Sequence, residues 1–250
     1  MTEGAGELAG RVAIVTGASK NIGRAIAVAL GEGGASVLVH GHRDRAVAEE
    51  TAELVAGAGA QAKVQLANLA EPEAAKLLVD AALAEFGTLD IVVANAAIRP
   101  ERPIDELTYE DWREVMAICL DSAFLLAKAA LEPLRRSDQA SIVTIGGLTG
   151  HTGAANRAHV ITAKAGIAGL TKALAHDLAK DRINVNCVAP GLIQTQREGD
   201  EPHHHKTRTN PLGRRGLPEE VAAAVRMLCG PGARYITGQT LHVNGGALMV

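Results

Sequence analysis

Short runs of β-branched and apolar residues recur along the chain and alternate with alanine-rich stretches of helical spacing. The runs are VAIV (12–15), ASVLVH (35–40), KVQL (63–66), DIVVANA (90–96), SIVTI (141–145), INVNCVAP (183–190) and TLHVNG (240–245). Each suits a strand and is short for a helix. Strands separated by helices predict a parallel sheet covered on both faces, because parallel pairing needs crossovers and buries both sides of each strand. No linker-like tract or internal repeat interrupts the rhythm, so residues 1–250 are expected to form one doubly wound α/β domain of about seven strands, with an N-terminal tail over 1–9. The one irregular stretch, GLIQTQREGDEPHHHKTRTNPLGRRG (191–216), is polar and longer than an ordinary connection, and predicts a lid-like substrate loop.

Composition narrows the function. A formal net charge of −3 with 21% charged residues gives no basic surface for nucleic acid or anionic membrane, and leaves a small-molecule substrate or ligand as the expected partner. The start, MTEGAGELAG, has no basic and apolar leader, and no apolar run approaches the ~20 residues of a membrane span. A cytoplasmic protein is therefore expected. Cys119, Cys187 and Cys229 are scattered without CxxC spacing, which predicts free thiols and no zinc site. His203, His204 and His205 cannot all face one metal; a solvated loop or a basic lid over an anionic substrate are the two readings, and no metal is expected.

The first strand runs into TGASKNIGRAIAVAL, where Thr16 to Gly23 form a turn and helical spacing begins at Arg24. Small residues at Gly17, Ala18, Ser19 and Gly23 let a backbone approach a pyrophosphate, and the helix N-terminus supplies unpaired N–H groups. Glycine-rich turns also serve plain strand-to-helix packing, but placement directly after the first strand strengthens the cofactor reading. At the end of the second strand, VLVHGHRDR offers His40, His42 and Arg43 where an NAD site usually has an acid, and Lys20 stands in the first turn. Cations there favour NADP(H) over NAD(H), with solvated loop charges as the competing reading.

These motifs and those that follow resemble the short-chain dehydrogenase/reductase family from end to end. TGASKNIG resembles the family's T-G-x-x-x-G-x-G turn, with Asn21 where glycine is commonest, and ANAA (94–97) resembles its N-A-G element. VNCVAPGLIQT (185–195), PLGRRGLPEEVA (211–222) and YITGQTLHVNGG (235–246) resemble its closing motifs. The resemblance implies a Rossmann-type sheet with nicotinamide cofactor at the carboxyl ends of the strands. It places Gly17, Ser19, Lys20, Asn21, Ile22, Gly23, His42 and Arg43 along the adenosine and phosphates. Asn68 and Leu69 fall beside the adenine, and Asn95, Ala96, Lys164, Pro190, Gly191, Ile193 and Thr195 toward the nicotinamide. It also implies a homo-oligomer, a tetramer, packed through the helices starting near Tyr109 and Arg157, whose alanines (Ala127, Ala129, Ala130; Ala165, Ala168, Ala173) permit close approach.

Against that family pattern the reacting groups are missing. The resemblance implies a serine after the fifth strand, a tyrosine four residues before the lysine, and an asparagine on the preceding long helix. Here those positions read Gly147, Val160 and Cys119, and only Lys164 remains. The sole tyrosines, Tyr109 and Tyr235, lie elsewhere. Losing a positioned acid and an oxyanion donor removes roughly 10²–10⁴-fold and 10²–10³-fold of rate. His151 is the leading substitute acid, ahead of Thr149, His159 and Thr162. Cys119, in an apolar helical stretch, reads as buried and inert. Two functions remain open: a divergent NADP(H)-dependent oxidoreductase acting on C=O, C=N or C=C, or a non-catalytic cofactor-binding or partner subunit.

Overall fold

In the computed structural model, residues 6–196 and 209–250 are described. All seven expected strands form: β1 (Val12–Val15), β2 (Ser36–Gly41), β3 (Ala62–Leu66), β4 (Ile91–Ala94), β5 (Ser141–Ile145), β6 (Asn184–Pro190) and β7 (Thr240–Val243). They make one sheet in the order β3-β2-β1-β4-β5-β6-β7, parallel throughout. The strand order reverses between β1 and β4, so their carboxyl ends splay apart and open a crevice.

Alternation along each strand assigns its side chains to two faces. Ala13, Val15, Val37, Val39 and Val143 pack under α1 (Asn21–Glu32), α2 (Arg45–Gly57) and α9 (Pro218–Cys229). Val12, Ile14, Leu38, Val92 and Ile142 pack under α3 (Glu73–Phe86), α5 (Ser122–Ala129) and α8 (Ala158–Leu178). Between them α4 (Tyr109–Met116) starts on a Thr108/Asp111 capping box and passes through a π turn, Ala117–Asp121, into α5. Two short helices, α6 (Leu131–Arg136) and α7 (Thr149–Thr152), flank β5.

The structure amends two expectations. The supposed tail is anchored from Gly6 onward: Leu8 is fully buried, its N–H donates to the Gly33 carbonyl at 2.8 Å, and Glu7 pairs with Arg226. Ala127 and Ala130 turn into the protein's own core, where they meet the α3 side chains, so they offer no face to another copy. Within the stretch 191–216, Ile193 pairs with Gly216 in a parallel bridge. His203–His205 lie outside the described residues. No helix among the described residues is long and apolar enough to cross a membrane, none of their His, Cys, Asp and Glu side chains group in threes as a metal site, and all three cysteines are free and buried.

Candidate active site

At the carboxyl ends of β1 to β6 lies a cavity of about 790 Å³. Every residue that the sequence assigns to the cofactor lines it, as do Gly147 and Val160.

Its floor at β1 is the first turn. Gly17 has φ +62°, and a Cβ there would stand 2.9 Å from the Ala96 Cα; a Cβ on Gly23 would stand 2.1 Å from the Gly17 carbonyl oxygen. The backbone is therefore as close-packed as the turn allows, and only glycine fits either position. Asn21 has φ +54°, the left-handed region that asparagine tolerates, which explains why it can stand where glycine is commonest. Its side chain also bonds both polar backbone atoms of Gln196, at 2.8 and 3.1 Å, tying the first turn to the segment after β6. The α1 N-terminus has no side-chain cap, which suits it to a bound anion.

Two polar side chains, the half-buried Asn95 and the buried His40, hold this turn. The Asn95 amide donates to the carbonyls of Thr16 at 2.8 Å and Gly17 at 3.1 Å, while Thr16 Oγ1 accepts the N–H groups of Asn95 and Ala96. Asn95 thus braces the turn as well as lining the cavity, a role that motif matching missed. His40 is the second. Its Nδ1 accepts the Gly17 N–H at 2.9 Å, so Nε2 carries the proton and donates to the Ala67 carbonyl at 3.1 Å. The sequence reading counted His40 among the cations near the second strand; the structure makes it a neutral clasp between β1, β2 and β3, with burial pushing its pKa down to about 4.

That depression has a measurable consequence. The unfolded histidine takes up its proton near 6.5 and the folded one near 4, so the stabilisation is fully present above pH 6.5 and is lost as pH falls toward 4. The loss amounts to about 3 kcal/mol at about 1.4 kcal/mol per pKa unit. Histidine NMR at pH 5 should show His40 still neutral, identified by the signal that His40→Gln removes. Titration near 6.5 would refute the clasp.

The opposite wall is α8. Lys164 is buried, and its Nζ donates to the Ile145 carbonyl at 2.6 Å; burial lowers its pKa. One turn earlier Val160 is buried against Val115, Cys119 and Ala163. Gly147 follows β5 with open space where a Cβ would point and with no positive φ. Strain on replacing it, which the strand-to-turn context suggests, is therefore absent. Cys119 sits in the π turn, donates to the Ile98 carbonyl at 3.4 Å and does not line the cavity; burial raises its pKa.

The expected substitute acids divide. His151 is exposed, stacks edge-on against His242 at 4.8 Å between ring centroids, and is not among the lining residues. His159 is fully buried but also off the cavity, as the helical rotation from Val160 requires. Thr162 donates to the Ala158 carbonyl on the exposed side of α8. Thr149 alone of the four lines the cavity, and neither Tyr109 nor Tyr235 does. Sequence reasoning singled out neither Arg99 nor Arg157, which both line it; the only signal for them was their charge.

A parallel sheet with this order, a glycine turn feeding a helix N-terminus at the point of reversal, and a cavity across the strand ends define a Rossmann-like α/β protein. The profile of the family described as Enoyl-(Acyl carrier protein) reductase matches residues 17–247. A 3-oxoacyl-(acyl-carrier-protein) reductase of Vibrio cholerae is 39% identical, over 97% of this chain and 99% of its own. A dehydrogenase/reductase from Sinorhizobium meliloti superposes with a TM-score of 0.92 at 33% identity, covering 97% of this chain and 96% of that one. A short chain dehydrogenase from Burkholderia cenocepacia, solved in complex with NADP, superposes at 0.91 with 31% identity, covering 96% and 99%. The chain belongs to the short-chain dehydrogenase/reductase family.

Proposed function

We propose that this protein is an NADP(H)-binding oxidoreductase whose ordinary carbonyl reduction is impaired or altered, because Gly147 and Val160 stand at the positions of the family's serine and tyrosine. The observation that carries the proposal is the composition of one cavity: it contains the glycine cradle and Lys164, yet no tyrosine lines it and Val160 occupies the wall one turn from the lysine.

The residues present fit the cofactor. Gly17 and Gly23 leave a cradle that a Cβ would fill, and Thr195 Oγ1 is buried in the cavity wall with no hydrogen-bond partner among the described residues, a position suited to a polar ligand group. Bound NADPH supplies a hydride. The first turn and the α1 N-terminus would bind its pyrophosphate, Lys164 would hold the ribose, and Ile193 and Leu192 would shield the nicotinamide side from water. The product oxygen of a ketone would find neither a hydroxyl from Val160 nor one from Gly147, so its proton must come from Thr149, water or the substrate. A substrate whose reacting carbon is an iminium, or a strongly polarised double bond, needs no oxygen protonation in that step. The loss of all three relay positions, Cys119 included, supports a second reading: a non-catalytic cofactor-binding or partner subunit. A homotetramer in the cytoplasm belongs to the same proposal.

The cofactor is tested by titration. Lys20, His42 and Arg43 line the cavity beside β2, and the one acid there, Asp44, is engaged in capping α2 by accepting the Val47 N–H. A charge-assisted contact with a 2′-phosphate contributes about 1.5–3 kcal/mol, so NADPH should bind roughly ten- to a hundredfold more tightly than NADH. Equal or reversed dissociation constants would sink this preference.

A further inference from the structure

We infer that Lys164 is a nucleophilic amine which, when no cofactor occupies the cavity, condenses with small aldehydes and ketones to form an imine. The cavity is then a reversible covalent binding site for carbonyl compounds. This goes beyond the proposed function and holds whether or not NADPH binds.

Lys164 is held at both ends of its side chain. At the base, α7 packs so closely that a Cβ on Gly150 would stand 3.0 Å from the Lys164 Cβ; at the tip, Nζ donates to the Ile145 carbonyl at 2.6 Å. That carbonyl is the nitrogen's one hydrogen-bond partner among the described residues. An ammonium carries three N–H donors, so a protonated Lys164 would leave two of them without a protein acceptor, whereas the uncharged amine leaves one. The residue is 6% exposed and lines the cavity.

Nothing anionic holds the proton on that nitrogen. Asp44 is the one carboxylate among the described residues that line the cavity, and it caps α2 at the β2 end. Val160 and Ala163, on the same helix, are buried and aliphatic. Burial lowers the Lys164 pKa; the Cys119 thiol opposes the shift, the Arg99 guanidinium adds to it and the Cys187 thiol opposes it. Burial raises the pKa of both thiols, so neither is a thiolate at neutral pH. Val160→Tyr would give Nζ an acceptor and with it the protonated amine; with valine there, the lone pair is left for attack. Desolvation without an anionic partner is how a lysine becomes a nucleophile near neutral pH.

The reaction has room and balances by itself. Ile145, Gly146 and Gly147 line the cavity at the end of β5, and the direction of a Gly147 Cβ is open. The nitrogen adds to the carbonyl carbon, both of its protons pass to the oxygen, and that oxygen leaves as water as the C=N bond forms. No oxidant or reductant takes part. Thr149, which also lines the cavity, offers a hydroxyl to relay the protons.

The test incubates the full chain, freed of nucleotide, with pentane-2,4-dione near neutral pH. Adduct is followed by its near-ultraviolet absorbance and located by peptide mass spectrometry, as the mass of the diketone less one water. Lys164 should react first, about tenfold or more faster than the exposed Lys128, Lys172 and Lys180 in the same sample. Lys164→Met should remove the fast phase and leave the slow one; the mapping on the wild-type chain reports even if that variant does not fold. No adduct at Lys164, or one no faster than at the exposed lysines, overturns the inference. Saturating NADPH should slow the reaction at Lys164 alone. An unchanged fast adduct there in the presence of NADPH leaves the amine standing and removes the lysine's role toward the cofactor.

Discussion

Installing Val160→Tyr together with Gly147→Ser should raise NADPH-dependent reduction of a simple neutral ketone by about 10²-fold or more. A positioned general acid contributes roughly 10²–10⁴-fold and one oxyanion donor roughly 10²–10³-fold. The lower end is expected because neither side chain has evolved partners here. Geometry favours the experiment: Val160 already lines the cavity one turn from Lys164, and the Gly147 Cβ direction is open. The buried cation beside the new phenol favours its ionised form, which is the direction proton transfer to a forming alkoxide requires of a poised acid. Each single change should give much less than the pair. Steady-state NADPH oxidation checks this, and a double variant that folds and binds NADPH but stays at the wild-type rate would remove the assignment of these two positions.

Gly23→Ala should abolish most NADPH binding and destabilise the protein by about 1–3 kcal/mol, the usual range for forced overpacking. The new methyl would sit 2.1 Å from the Gly17 oxygen and 2.6 Å from Asn95 Nδ2, so either the turn or its amide brace must move. Both belong to the cradle that an approaching pyrophosphate needs. Gly169→Ala, on α8 with nothing within 4 Å, provides the contrast: it should leave stability unchanged or slightly raised, since alanine is the better helix former. Chemical denaturation and NADPH titration on the two variants measure both effects. Equal stability of the two variants, with NADPH bound normally by Gly23→Ala, would mean that the first turn is not the close-packed element described.

The sheet was legible because its strands are compact apolar runs, with β1, β5 and β6 buried on both faces, a signal carried by adjacent residues. The cavity wall was legible for the same reason: the motifs cluster at strand ends, and strand ends converge. What escaped depends on long-range contacts that local pattern does not encode. His40 looks like a cation beside other cations; only the approach of Gly17 and Ala67 to its ring makes it a neutral clasp. Leu8 looks like part of a polar tail until Gly33 meets it. His151 and Thr149, two residues apart, divide because the short helix α7 turns one outward and the other inward. Arg99 and Arg157, 58 positions apart, meet only when the loop after β4 folds back on α8.

The central claim, a site built for the cofactor but without the acid for carbonyl reduction, is tested most directly by one rate: oxidation of saturating NADPH by the wild-type protein in the presence of a simple neutral ketone. The account predicts saturable NADPH binding and turnover at or near the enzyme-free background. Brisk turnover that survives replacement of Thr149, His151 and His159 would contradict it, because an acid unaccounted for would then be protonating the oxygen.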